Sequence, residues 1–295
     1  MRVDVEHRPF NGSIWLKRGT VSYGANWYGR GKEAITMGHV RIGFLPHTRQ
    51  WNAIVEQLSL YDNDANDVAV IADRTLDAVR AEFNGLQYDE SVIKAIGYLA
   101  TIVVSSRQKD QIAFLQGNGY SVDENLSVFG LTTSAKKMIH TDDGSLETNK
   151  LARDSAIQAV MEYYEQHSDK QVSLFQTDNN PFKERGSGRE FCELARYFFA
   201  AFTEKQIRYY IDRAASSVIG DYEKYVHFSD TLTEQSIAIT EHAFEISKIM
   251  QSFAAGWFNK HALDKTPSDD SVTDFLKISF GKVREELRLE AMNNE

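Results

Sequence analysis

The sequence predicts an α+β protein, predominantly helical, in which a small β-rich N-terminal module precedes a C-terminal helical bundle. Three observations predict it. Apolar residues alternate in short runs before Pro46, seven of the 18 glycines fall in that same stretch, and beyond Gly220 only Gly256 and Gly281 interrupt a text of helical period.

The β-rich module covers residues 1–46. Val3 and Val5, Val21 and Tyr23, and Ile42 and Phe44 are each two apart, so each pair shares one face of an extended chain. Asn11-Gly12 and Arg18-Gly19 supply the turns between them.

Helices follow from spacing and caps. Segment 48–61 sets Trp51, Ile54, Val55 and Leu58 on one face, and segment 67–84 does the same with Val68, Ile71, Leu76, Val79 and Phe83 before Gly85 stops it. Asp89 and Glu90 favour a helix over 91–105, although the β-branched run within 100–105 also suits a buried strand. Another amphipathic helix is predicted over 147–167. The polar stretch 177–188 contains Asp178-Asn179-Asn180-Pro181 and Gly186-Ser187-Gly188; it reads as a linker between a mainly helical middle region, 47–176, and a bundle, 189–295. The bundle is predicted to hold helices at 189–202 and 203–219, the second capped by Thr203. One long helix follows over 229–261 with Ile237, Phe244, Phe253 and Trp257, then a final helix from about 268 with Val272, Phe275, Leu276 and Phe280. Stripes of such residues are core before they are anything else.

Composition excludes several classes. The chain has 295 residues, 42% of them hydrophobic, with 33 Lys+Arg against 42 Asp+Glu, which is ordinary for a globular protein. Its longest uncharged and mostly apolar run, 95–106, is shorter than the ~20 residues that cross a bilayer. The opening Met1-Arg2-Val3-Asp4 does not read as a secretory leader, and the lone Cys192 can form no internal disulfide. A cytoplasmic protein without membrane contact is the expectation. Cys192 itself reads as a buried, inert thiol.

Motifs for particular chemistries are absent or incomplete. The chain contains no His-Glu-x-x-His and no Gly-x-Ser-x-Gly, and Gly29-Arg30-Gly31-Lys32 is followed by Glu33 where a phosphate loop needs a hydroxyl for magnesium. No cofactor is called for. The acidic stretch from Asp62 to Asp73 has oxygen ligands at calcium-loop spacing, but Asp67 occupies the place of the turn glycine, so a helix-capping loop is the better reading. His242 and Glu245 lie one helical turn apart in the reverse of the di-iron order and lack a second pair. No metal site is expected.

Charge is the most informative functional clue. Up to residue 46 seven basic residues face three acidic ones, a net +4, which leaves −13 for the rest of a chain whose total is −9. Within this basic segment, Arg30 and Lys32 sit among glycines with Trp27 and Tyr28 beside them. Cations suit phosphates, flat rings suit bases, and glycines let backbone N–H groups approach an anion, so these four residues are the candidate nucleic-acid or anion contacts. A weaker signal lies in 108–148. There Gly130-Leu131-Thr132 has the look of a helix-turn-helix turn, Ser134 to His140 that of a recognition helix and Asp142-Asp143-Gly144 that of a wing, but Lys136 stands where an apolar residue belongs. In 182–213 Arg189 and Arg196 share a helix face with Glu193 between them, which favours a salt-bridged outer face over an anion groove.

The function these features predict is a non-enzymatic subunit of an intracellular protein or nucleoprotein assembly. It would bind a protein partner or a second copy of itself, with nucleic-acid contact through the basic module. The alternative is an enzyme acting on nucleotides or nucleic acid through residues distant in sequence.

Overall fold

The computed structural model describes residues 48–293 apart from 125, 142–145, 168–179, 184, 236–238, 241, 242, 244–247, 249 and 250. Contacts divide the chain between Gly38 and His39, and every described residue belongs to the second unit. About 79% of the described residues are helical and no strand or sheet occurs among them, which corrects the α+β class to an all-helical one. The segment 1–46, with its predicted β-rich module, lies outside the described residues.

The helices are α1 (Arg49–Leu60), α2 (Ala65–Val79), α3 (Glu90–Ser105), α4 (Gln111–Gly117), α5 (Val128–Met138), α6 (Leu146–His167), α7 (Gly188–Val218), α8 (Tyr222–Glu234), α9 (Gln251–His261) and α10 (Asp269–Asn293). Two 3-10 turns, Arg80–Phe83 and Leu86–Tyr88, join α2 to α3 around Gly85, whose positive φ of 96° favours a residue without a side chain. Starts are fixed by side-chain caps. Thr48 accepts from the Trp51 N–H at 3.1 Å, Asp64 from Asn66 at 2.9 Å and Asp89 from Ser91 at 3.0 Å. The acidic loop after Asp62 therefore caps α2, as its Asn/Asp pattern predicts. Ser187 and Glu190 form a reciprocal capping box on α7.

α7 is the spine against which α6, α9, α1, α2 and α3 pack. Phe199 meets Phe280 edge-on at 5.5 Å, and Phe191 stacks on Phe258 at 5.1 Å and lies 5.2 Å from Trp257. All but Trp257 of these rings are at most 1% exposed. Burying one such ring contributes roughly 1.5–3 kcal/mol relative to leaving it in water.

The helix expected over 91–105 is observed as α3, and the β-branched run Thr101 to Val104 takes the helical one of its two readings, fully buried, because packing on all sides outweighs a weak strand preference. Two further sequence expectations are corrected. α7 is one helix of 31 residues where two were predicted. Thr203 lies in its interior at 1% exposure, and with no proline or glycine between Gly188 and Gly220 nothing stops the helix there. Conversely, the predicted single helix over 229–261 is broken: α8 begins earlier, at Tyr222 under an Asp221 cap, and ends at Glu234. The helix-turn-helix signal in 108–148, weak already because of Lys136, is not met at its turn. Gly130 sits inside α5 rather than in a turn, and a Cβ there would come within 2.5 Å of the Asp123 carboxylate. That carboxylate accepts from the Ser127 N–H at 2.8 Å, while Ser127 Oγ caps α5 by accepting from Gly130 at 3.0 Å.

Within 180–187, Pro181, Phe182 and Gly186 are buried. Phe182 is fully buried and stacks on Tyr163 at 4.6 Å. A Cβ on Gly186 would fall 2.1 Å from Arg107 Cγ, and one on Gly188 would fall 2.7 Å from the Ala255 carbonyl oxygen in α9. These two glycines serve close approach.

Candidate functional site

Trp27, Tyr28, Arg30 and Lys32 lie outside the described residues, as do His242 and Glu245. Among the described residues no group of three or more His, Cys, Asp or Glu is placed to hold a metal ion. No described helix is long and apolar enough to cross a membrane. Two clefts stand out among the described residues, one along a face of a single helix and one between a helix pair.

The first lies on the N-terminal half of α7. Helical spacing puts Arg189, Cys192, Glu193 and Arg196 along one face, and they line a cavity of about 300 Å³. Glu193 turns toward α6, where His167 Nε2 lies 3.5 Å away, and it accepts from the Tyr197 hydroxyl at 3.0 Å. His167 in turn places Nδ1 2.9 Å from the Tyr163 carbonyl oxygen and stacks on the Tyr163 ring at 4.2 Å. Burial raises the Tyr163 and Tyr197 hydroxyls to about 12, with neighbouring glutamates adding to it. Cys192 is half-buried, and burial pushes its thiol above the usual range against the opposing pull of Arg196. At neutral pH it is a thiol and a poor nucleophile, which agrees with the inert thiol expected from the sequence, whereas its half-exposed place on a cavity wall corrects the expectation that it is buried. The face carries a cavity that the salt-bridge reading of Arg189, Glu193 and Arg196 does not contain. Sequence reasoning missed the His167 and Glu193 pairing because 26 positions separate them and only the fold brings α6 onto α7.

Beside this cleft α6 and α7 share a half-buried polar seam. Lys205 donates to Gln158 Oε1, and Gln158 Nε2 donates to Glu162 at 2.8 Å. Burial lowers Lys205 and raises Glu162, so the seam holds its charges at a cost. Side chains from both helices satisfy its amide.

The second cleft runs between α9 and α10 and encloses about 490 Å³. Its floor is aromatic. Phe253 stacks on Phe275 at 5.5 Å and 6°, Trp257 lies 4.7 Å from Phe275, and His261 stacks on Trp257 at 5.9 Å. Trp257 is fixed by its Nε1–H, which donates to the Ser271 carbonyl at 3.0 Å. The rim is polar, with Ser252 and Lys260 from α9 and Asp274 from α10. The sequence stripe of Phe253 and Trp257 is thus core on one side and a cleft floor on the other, and periodicity alone does not separate the two.

A third feature is a surface. At one corner Lys224 donates to Asp62 at 2.8 Å, and the Tyr61 hydroxyl lies 2.8 Å from His227 Nδ1, which joins the end of α1 to α8. On these two helices Tyr222 is 80% exposed, Leu60 74% and Val226 37%.

No family model, curated protein or solved structure matches the chain. The geometry of these three features is therefore what supports a functional reading.

Proposed function

We propose that the chain is a non-enzymatic subunit of an intracellular, cytoplasmic protein or nucleoprotein assembly. The helical body binds a protein partner or a second copy of the chain, and Trp27, Tyr28, Arg30 and Lys32 in the basic N-terminal segment contact nucleic acid or another polyanion. The observation that carries the protein-binding part is the exposure of Tyr222 and Val226, one turn apart on the same outer face of α8, together with Leu60. Large apolar side chains gathered on a surface mark contact sites more often than isolated ones do. The net +4 of the first 46 residues supports the polyanion part. Co-purification from the native cell, followed by the same experiment with Tyr222→Asp/Val226→Asp, tests the first part; an unchanged set of partners removes it. Salt-dependent binding to single-stranded DNA or RNA, lost in Arg30→Ala/Lys32→Ala, tests the second.

One observation favours a second reading. The cavity at Arg189 and Arg196 sets two guanidinium groups near the His167 and Glu193 pair, an arrangement suited to an enzyme acting on nucleotides. Nucleotide turnover by the purified chain, abolished by His167→Ala, would replace the first reading with this one.

A further inference from the structure

The α9–α10 cleft is independent of the exposed face of α8 and has the dimensions of a small-molecule site. Its register follows from two contacts. Trp257 pairs with Ser271 and Phe253 with Phe275, so the helices run antiparallel, with residues whose numbers sum to the same total at the same height. On that register Lys260 stands about 9 Å above Asp274 along the axis, six positions at the ~1.5 Å rise of a helix. Side chains lean toward the N-terminus of their own helix, which points Lys260 down and Asp274 up. The two charges therefore converge over the cleft. Neither has a hydrogen-bond or ion-pair partner among the described residues.

Between them lies Gly256, in mid-α9. Glycine in a helix costs about 1 kcal/mol relative to alanine, yet no described atom lies within 4 Å of where a Cβ would stand. Packing against Gly186 and Gly188 explains those two glycines; no described residue fills the space at Gly256. The opening leads onto the edges of Phe253 and Trp257, with Ile278, 46% exposed, as its apolar far wall.

We propose that this cleft binds a small aromatic zwitterion. The ring occupies the space left by Gly256 against Phe253 and Ile278, the carboxylate meets Lys260, and the ammonium meets Asp274. Opposite charges on the two rims oppose a ligand carrying only one sign, since each leaves one rim group unanswered. They favour a head group that carries both.

Three phenyl compounds of matched size isolate the charge requirement: L-phenylalanine, phenylacetate and phenethylamine, titrated into the full chain with tryptophan emission as readout and Trp257→Phe to assign the signal. L-Phenylalanine is expected to bind roughly 3–5-fold more tightly than either singly charged analogue, the scale of exposed charge contacts. Lys260→Gln should bring it level with phenethylamine, and Asp274→Asn level with phenylacetate. Gly256→Leu should weaken all three about tenfold or more by filling the cleft, while Gly256→Ala keeps the helical content of the native chain. If Gly256→Leu does not fold, the two rim variants carry the test. No saturable change up to about 10 mM, or binding of the three compounds with equal affinity, overturns the proposal. Affinities that differ but are unmoved by both rim variants overturn it as well.

Discussion

α7 and α8 are consecutive helices of the same chain, and they are stabilised in different ways. α7 buries 18 of its 31 residues, with Tyr197 to Glu204 buried without a break, and six other helices, α8 among them, lean on it. α8 buries only Phe228, Thr231 and Leu232 of its 13, a single stripe, and shows Tyr222 and Val226 to solvent. The contrast teaches that apolar residues at helical spacing mean core only when neighbours come from both sides. On α8 a stripe facing α2 and α7 coexists with the exposed apolar side chains of Tyr222 and Val226.

The largest test falls on α7. Phe199 touches Phe198, Phe275 and Phe280, so Phe199→Ala opens a cavity among rings from two helices and should destabilise by about 3–5 kcal/mol in urea unfolding. A loss under 1 kcal/mol would mean that α7 is no more central than α8. The next test uses the glycine at the start of each helix, Gly188 as the first residue of α7 and Gly220 just ahead of α8. Gly188→Ala would press a Cβ on the backbone oxygen of Ala255, a group that moves only with α9, and should cost about 1–3 kcal/mol. Gly220, just before α8, has open space at the same place. Its replacement by alanine should leave the unfolding midpoint nearly unchanged, so equal effects would erase the distinction.

Alkaline pH gives a smaller effect on the same side of the comparison. Tyr163 on α6 and Tyr197 on α7 hold their protons up to about 12, against ~10 in an unfolded chain. Below pH 10 folded and unfolded chains both keep these protons, and stability does not depend on them. Between roughly pH 10 and 12 the unfolded chain releases them first, so stability falls, by on the order of 1–2 kcal/mol once solvent screening of these partly exposed hydroxyls is allowed for, and levels off beyond the folded value. Unfolding midpoints across this window, with Tyr163→Phe/Tyr197→Phe as the control that flattens the slope, measure it.

What the sequence made legible follows the same division. The amphipathic faces of α1, α2 and α10 could be read because one face of each is polar, and Trp51, Ile54, Val68, Val272 and Phe275 are buried as their spacing implies. Thr203 misled because a cap residue and a buried mid-helix threonine look alike until the packing around them is known. The run Thr101 to Val104 admitted two readings for a related reason. A helix buried on all faces has no polar side, and periodicity loses its signal where burial is complete. The clefts were hidden more deeply. His167 with Glu193 and Lys260 with Asp274 are juxtaposed by helix pairing, and the one local hint was a glycine, Gly256, set within a helix it weakens.

The smallest stability effect bears on α8 itself. Tyr222 and Val226 make their outer face without burying it, so Tyr222→Ser/Val226→Ser removes little apolar area from the folded interior and should shift stability by less than about 0.5 kcal/mol. The cap from Asp221, which accepts from the Lys224 N–H at 2.9 Å, and the ties of Tyr61 to Phe228 and of Asp62 to Lys224 are left intact. If these side chains wait for a partner, the same variant should lose association in a pull-down or sedimentation experiment while its urea curve overlays that of the parent. A large loss of stability would instead place both side chains inside the fold, covered by residues not described here, and α8 would then be a core helix after all. The pair of measurements therefore separates an interface from a hidden core, which exposure alone does not.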